Sequence, residues 1–127
     1  MSPFLKILLI GSGGFTGAVL RYAMSGLVHR AFPAGNVFPA GTFFVNIAGC
    51  LAIGVLSGMA DTRQLFSPEL RLLVFIGLLG GFTTFSTFAL ESLYLLQERQ
   101  FLYFGFNIIG QVVSGLIAVW IGYTLVK

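Results

Sequence analysis

Gly80-Gly81-Phe82-Thr83-Thr84-Phe85-Ser86-Thr87-Phe88 carries no charge, sets two glycines side by side and then alternates phenyl rings with hydroxyls. It lies within nineteen uncharged residues, Leu72 to Leu90, so hydropathy places it at membrane depth. A backbone break is tolerated there only where protein or a water-filled cavity covers it. Two adjacent glycines cost roughly 1 kcal/mol each in a helix, and the threonines beyond them can bond backbone groups that a break sets free. The stretch therefore predicts a third span interrupted at Gly80-Gly81 and resuming from Phe82 to about Gln97. Freed carbonyls near such a break are candidate cation ligands, as half-helix ends are in transporters. Beyond it Phe85 and Phe88 share a face, with Thr84 and Thr87 on an adjoining stripe. Rings at helical spacing are ordinarily packing. A phenyl ring also has a positive edge, which lets a small anion meet rings and hydroxyls without a fixed charge that would hold it too tightly. The spacing accommodates both readings.

The rest of the composition agrees with a membrane setting. Of the 127 residues 57 % are hydrophobic and 9 % charged, and the mean hydropathy is +0.96, against about a quarter charged in soluble domains. That length holds one integral membrane domain, residues 1–127, with spans at approximately 4–28, 40–60, 69–97 and 101–126. Four helices are too few to enclose a wide pore, which implies an oligomer. The net charge of +3 does not indicate nucleic acid, because the seven Lys and Arg are scattered singly and read as membrane-flanking residues. Cys50 is the only cysteine and behaves as a small hydrophobe in mid-span. No Gly-rich loop with Lys-Ser/Thr is present, so neither a nucleotide site nor catalysis is expected.

Outward from the third span, each helix contributes a few polar groups. The first, read as a retained span rather than a cleaved signal, repeats Gly13, Gly17, Arg21 and Ser25 every four residues, a face that can approach another helix closely. Arg21 reads either as a snorkelling interfacial residue or as a cation that draws anions to a vestibule. His29, Arg30, Pro33, Gly35, Asn36 and Pro39 form a loop of turn formers, and His29 has no neighbours that suit metal ligation. The second span places Thr42 one turn from Asn46, then Gly49 and Gly54-x-x-x-Gly58. A carboxamide in mid-membrane must face protein, water or a ligand, so Asn46 reads as interhelical glue or as a donor. Ser67-Pro68-Glu69 caps the third helix, and Glu91, one turn after Thr87, is expected to pair with an arginine such as Arg21 of a neighbouring helix. On the fourth span Asn107, Gln111 and Ser114 form one polar stripe, either glue or a file of hydrogen-bond donors.

Four spans put Lys6, Arg63, Arg71 and Lys127 on one side and Arg30 and Arg99, with or without Arg21, on the other. The bias that sets orientation is slight, so insertion both ways and a dimer of oppositely oriented subunits follow.

Gly80 to Phe88, the second-span Gly41-Thr42-Phe43-Phe44-Val45-Asn46-Ile47-Ala48-Gly49, the Gly-rich first span ending in Leu20-Arg21-Tyr22, and Glu91 together resemble the Fluc (CrcB-type) fluoride ion channels of bacteria over essentially the whole chain. The resemblance implies an all-α multi-pass protein of the bacterial inner membrane. It implies four helices per subunit with a broken third, an antiparallel dual-topology homodimer, and two fluoride pathways built from both subunits. Phe85 and Phe88 would line the pathways, and Asn46 would be a donor near the route. Thr42, Thr84 and Thr87 would supply hydroxyls. Backbone carbonyls of Gly80 and Thr83 would hold a structural Na+ on the dimer axis, and Arg21 and Glu91 would be polar partners. Span four departs from the family pattern, since Ser114-Gly115 stands where Gly-Ser is usual; Gln111 and Ser114 are expected to take over the polar track, with Asn107 nearer the vestibule. The implied activity is passive export of F−. Two rivals are a small dual-topology proton-coupled multidrug antiporter, which would place its key Glu where this chain has Arg21, and a structural subunit whose polar residues only join helices.

Overall fold

A computed structural model describes residues 1–32 and 37–127 of the chain. The structure is all-helical, with four helices long and apolar enough to cross a membrane: Pro3–Ala31, Ala40–Arg63, Pro68–Gln97 and Phe101–Leu125. Helix α1, Pro3–Ala31, starts under a Ser2 cap that accepts from Leu5 N, with Pro3 in the first turn. It runs through His29 and Arg30, which the sequence reading put in a loop; Pro33, Gly35 and Asn36 of that expected loop lie outside the described residues. Helix α2, Ala40–Arg63, ends at Gln64 in the left-handed region, and Ser67 caps the short α3, Pro68–Arg71, by accepting from Leu70 N. The third span then winds as a π-helix over Leu72–Leu79, passes through α4, Gly80–Phe82, and continues in α5, Phe85–Gln97. Helix α6, Phe101–Leu125, completes the chain.

Small residues set the helix pairing. Gly13 and Gly17 are buried in α1, and a Cβ on either would overlap the carbonyl of Leu73 or Leu78 on the π-helical segment. Lipid tails are as apolar as leucine, so close backbone approach replaces the hydrophobic drive between helices. The same device joins α2 to α6, where Gly54 meets Val119, Gly58 meets Tyr123 and Gly122 meets the backbone of Leu51 and Val55. Few large side chains are fully buried, Val45 and Asn107 alone among the described residues. Leu102, Phe15, Trp120 and many other apolar residues stand exposed, an outer surface suited to lipid or another subunit rather than to water.

The Gly80-Gly81 pair does not end the helix. Gly80 keeps right-handed helical angles (φ −62°, ψ −37°), and the extended residues come later, Thr83 (ψ 157°) and Thr84 (φ −149°, ψ 118°). Gly81 is needed for approach instead: a Cβ on it would stand 2.6 Å from the carbonyl oxygen of Gly14, whereas one on Gly80 would meet only Phe75 O at 3.8 Å. Thr83 can leave the helix cheaply because its own groups close the end, with both its N–H and its hydroxyl donating to Leu79 O at 3.0 Å.

Candidate functional site

Two extended residues at membrane depth strand a backbone donor and acceptor. Asn46 of α2 takes up both: Thr84 N–H donates to Asn46 Oδ1 at 2.9 Å, and Asn46 Nδ2 donates to Thr84 O at 3.0 Å. Its carboxamide thus stands in for the missing peptide group, satisfying a backbone that hydrocarbon cannot. Thr84 in turn caps α5, its Oγ1 accepting from Thr87 N at 3.2 Å and lying 3.0 Å from Thr87 Oγ1. Arg21 reaches the same region, donating from Nε to Gly81 O at 3.1 Å. A guanidinium suits the carbonyl end of a helical segment, where the peptide dipoles leave partial negative charge.

From Asn46 a chain of hydrogen bonds runs into α6 and back to α5. Asn46 Nδ2 also donates to Gln111 Oε1 at 2.9 Å; Gln111 Nε2 donates to Asn107 Oδ1 at 2.9 Å; Asn107 Nδ2 donates to Ser92 Oγ at 2.9 Å. Ser92 Oγ closes the run by donating to Phe88 O at 2.7 Å. Asn107 and Gln111 are therefore brought together as their spacing suggests, while Ser114, half-buried, makes no side-chain hydrogen bond among the described residues and stands outside the relay. Ser92 is the member that the sequence reading passed over. Its signal was modest: it lies one turn past Phe88 on the face that meets α6, where a hydroxyl can return its hydrogen to the backbone four residues back.

Two hollows share Thr84 as a border, and members of the relay line one of them. A groove of about 400 Å³ is bordered by Asn46, Gln111, Phe85, Phe88, Gly80 and Thr83. The two rings lie 5.5 Å apart between centroids and 57° from parallel, but they differ in setting: Phe88 is 7 % exposed and Phe85 78 %. The carbonyls of Gly80 and Thr83 receive no hydrogen bond from a side chain among the described residues. On the other side, a vestibule of about 780 Å³ is bordered by Arg21, His29, Thr42, Thr87 and Glu91, and Thr84 borders both hollows.

Glu91 is not paired with Arg21 among the described residues. Thr42 donates to Glu91 Oε1 at 2.9 Å, and Oε2 is buried with no hydrogen-bond partner among the described residues. The physical reason is reach, since Arg21 is engaged by the Gly81 carbonyl and Thr42 faces Glu91 directly from α2. No three His, Cys, Asp or Glu side chains come together as a metal site among the described residues.

Residues 8–123 match the sequence model of a family described as CrcB-like protein, Camphor Resistance (CrcB). The chain belongs to the CrcB family. Its relatives within that family include a protein of Methylobacillus flagellatus named fluoride-specific ion channel FluC, 45 % identical over 96 % of this chain and 94 % of the relative. A protein of Nitratidesulfovibrio vulgaris with the same name is 45 % identical over 92 % of this chain and 93 % of its own length. The fluoride-specific ion channel FluC 1 of Methanosarcina acetivorans is 47 % identical over 91 % of this chain and 86 % of its own. The similarity to CrcB proteins runs through all four spans, so the relay and both hollows fall inside the shared region.

Proposed function

We propose that the chain is the subunit of a fluoride-specific channel that lets F− leave the cell passively down its electrochemical gradient. The observation that carries the reading is near-full-length similarity to proteins named fluoride-specific ion channels, in a chain whose mid-membrane polar groups are almost all uncharged. Fluoride is small and strongly hydrated, so a path must replace its water with N–H, O–H and ring-edge donors, and a narrow bore then rejects chloride. Phe85, Phe88, Gln111 and Asn46 border the groove that offers such groups, and Arg21, Thr42, Thr84, Thr87 and Glu91 border the vestibule that would feed it. Ser114 and Asn107 border neither hollow; Asn107 serves from behind Gln111.

The assembly in this reading is an antiparallel homodimer in the cell inner membrane, its third span broken at Thr83-Thr84 and its two pathways shared between subunits. An outward-facing Phe85 at the groove supports it, because a ring that lines a pathway needs a second wall. A structural Na+ fits the residues present: Gly80 and Thr83 border the groove at the carbonyl end of a helical segment, where partial negative charge favours a cation. Those two oxygens would hold it, and the ion would neutralise the paired segment ends.

The test is F− against Cl− efflux from proteoliposomes, followed with ion-selective electrodes. Wild type is expected to release F− and retain Cl−, and Phe85→Ile and Asn46→Asp to slow F− release sharply. Undiminished flux in both variants would remove these residues from the pathway, and a silent wild type would remove the function. The antiporter alternative is separated by Glu91→Gln, which under that reading alone abolishes proton-coupled cation exchange.

A further inference from the structure

We propose that Gly49 is a positioning residue for the carbonyl of Thr83: the space it leaves on α2 selects the one Thr83 rotamer that ties the end of the third span's first half to Leu79. The inference rests on the reading of Gly80 and Thr83 as holders of a structural Na+. A Cβ on Gly49 would overlap Thr83 Cγ2, whereas the next nearest atoms, Phe82 Cδ2 at 3.5 Å and Thr83 Cβ at 3.7 Å, stand at ordinary contact distances. Gly49 is buried in α2 and borders the groove with Gly80 and Thr83. The missing side chain is therefore matched by one methyl group of its neighbour.

That methyl and the Thr83 hydroxyl turn together, because both stand on one Cβ and only three staggered positions are open. In the present rotamer the methyl faces Gly49 and the hydroxyl donates to Leu79 O at 3.0 Å. With alanine at position 49 the methyl must leave. Of the two remaining rotamers, one drives the hydroxyl into the same alanine, and the other sets the methyl against Leu79 O and breaks the hydrogen bond. What depends on that bond is the point at which the helix opens, Thr83 being extended at ψ 157°. Beyond it the backbone donors turn elsewhere. Thr84 N–H, which a continuing helix would aim at Gly80 O, donates to Asn46 Oδ1, and Thr87 N–H, which would reach Thr83 O, donates to Thr84 Oγ1. These exchanges leave the Gly80 and Thr83 oxygens to a cation, and the Thr83 tether fixes one of them.

The test reads Na+ and flux separately on the full-length protein: binding of radioactive Na+ to purified protein across a range of Na+ concentrations, and F− efflux from proteoliposomes. Gly49→Ala is expected to bind Na+ about fivefold more weakly, the scale of one intramolecular hydrogen bond, and to slow F− efflux. Thr83→Val keeps a methyl facing Gly49 and deletes the hydroxyl, and is expected to weaken Na+ binding by the same factor. Adding Thr83→Ser to Gly49→Ala removes the methyl and keeps the hydroxyl, and is expected to restore both readouts. A helix loosened in general would not be mended that way, since alanine by itself favours a helix over glycine. Wild-type Na+ affinity in Gly49→Ala or in Thr83→Val, or a double variant no better than Gly49→Ala, overturns the proposal. Where Gly49→Ala does not fold, Thr83→Val and the double variant decide it. A wild type that binds Na+ beside variants that bind it equally well sinks this inference alone, whereas a wild type that binds none sinks the cation reading with it.

Discussion

Asn46 shows how one side chain can be required before any ligand is considered. Its carboxamide satisfies Thr84 N–H, Thr84 O and Gln111 Oε1 together. Replacing it by leucine strands all three at membrane depth, and hydrogen bonds within membranes average less than buried ones in water-soluble cores, so we expect a loss of about 3 kcal/mol. Denaturation in mixed micelles checks this; a change under about 0.5 kcal/mol would mean the Thr84 backbone finds other partners. Either role considered for Asn46 in the sequence, glue or donor, was reasonable there, because the choice depends on how many of its hydrogens are already spoken for. Spacing cannot count them. Glu91 carries the same lesson: its depth was legible, but its partner Thr42 sits on another helix 49 residues away in the chain.

At the scale of helices, glycine does two different things that look alike in sequence. Gly17 sits where a Cβ would overlap the Leu78 carbonyl, with Phe82 N only 2.8 Å away, whereas Gly11 has nothing within 4 Å. Gly17→Val should therefore part α1 from the third span and cost about 3 kcal/mol, with backbone rather than a yielding side chain in the way. Gly11→Ala meets no such obstacle, and its effect should stay within about 1 kcal/mol, the helix-propensity difference between the two residues. Thermal denaturation in detergent, read by size-exclusion chromatography, distinguishes the pair; equal melting would show that the close approach does not hold the helices together. Of the Gly80-Gly81 pair, Gly81 belongs to the Gly17 kind, whereas a Cβ on Gly80 would meet only Phe75 O at 3.8 Å. Gly81 lies against Gly14, and the helix leaves its path only at the threonines.

At the scale of the whole molecule, the slight charge bias is the lever. Lys6, Arg63, Arg71 and Lys127 face one side against Arg30 and Arg99 on the other, and orientation is set by such counts. Adding two lysines to one flank should bias insertion to one orientation and lower F− flux from that variant alone. Co-expression with a variant carrying the extra lysines on the opposite flank should restore it. Full flux from either variant by itself would exclude an antiparallel pair.

The sequence by itself determined the solvent of this protein and the number of its spans, and it named many of the residues that border the two hollows. Those are consequences of hydropathy, helical period and the scarcity of polar groups, all of which are local. It also singled out Asn46, Gln111 and Asn107, because a carboxamide in mid-membrane must have a partner wherever it lies. Only the tertiary structure decided where the third helix leaves its path, that Glu91 faces Thr42 rather than Arg21, and that Ser92 joins the relay. Each of those turns on which groups from distant helices come within 3 Å of one another, and hydrogen-bond satisfaction is settled between helices, not along one.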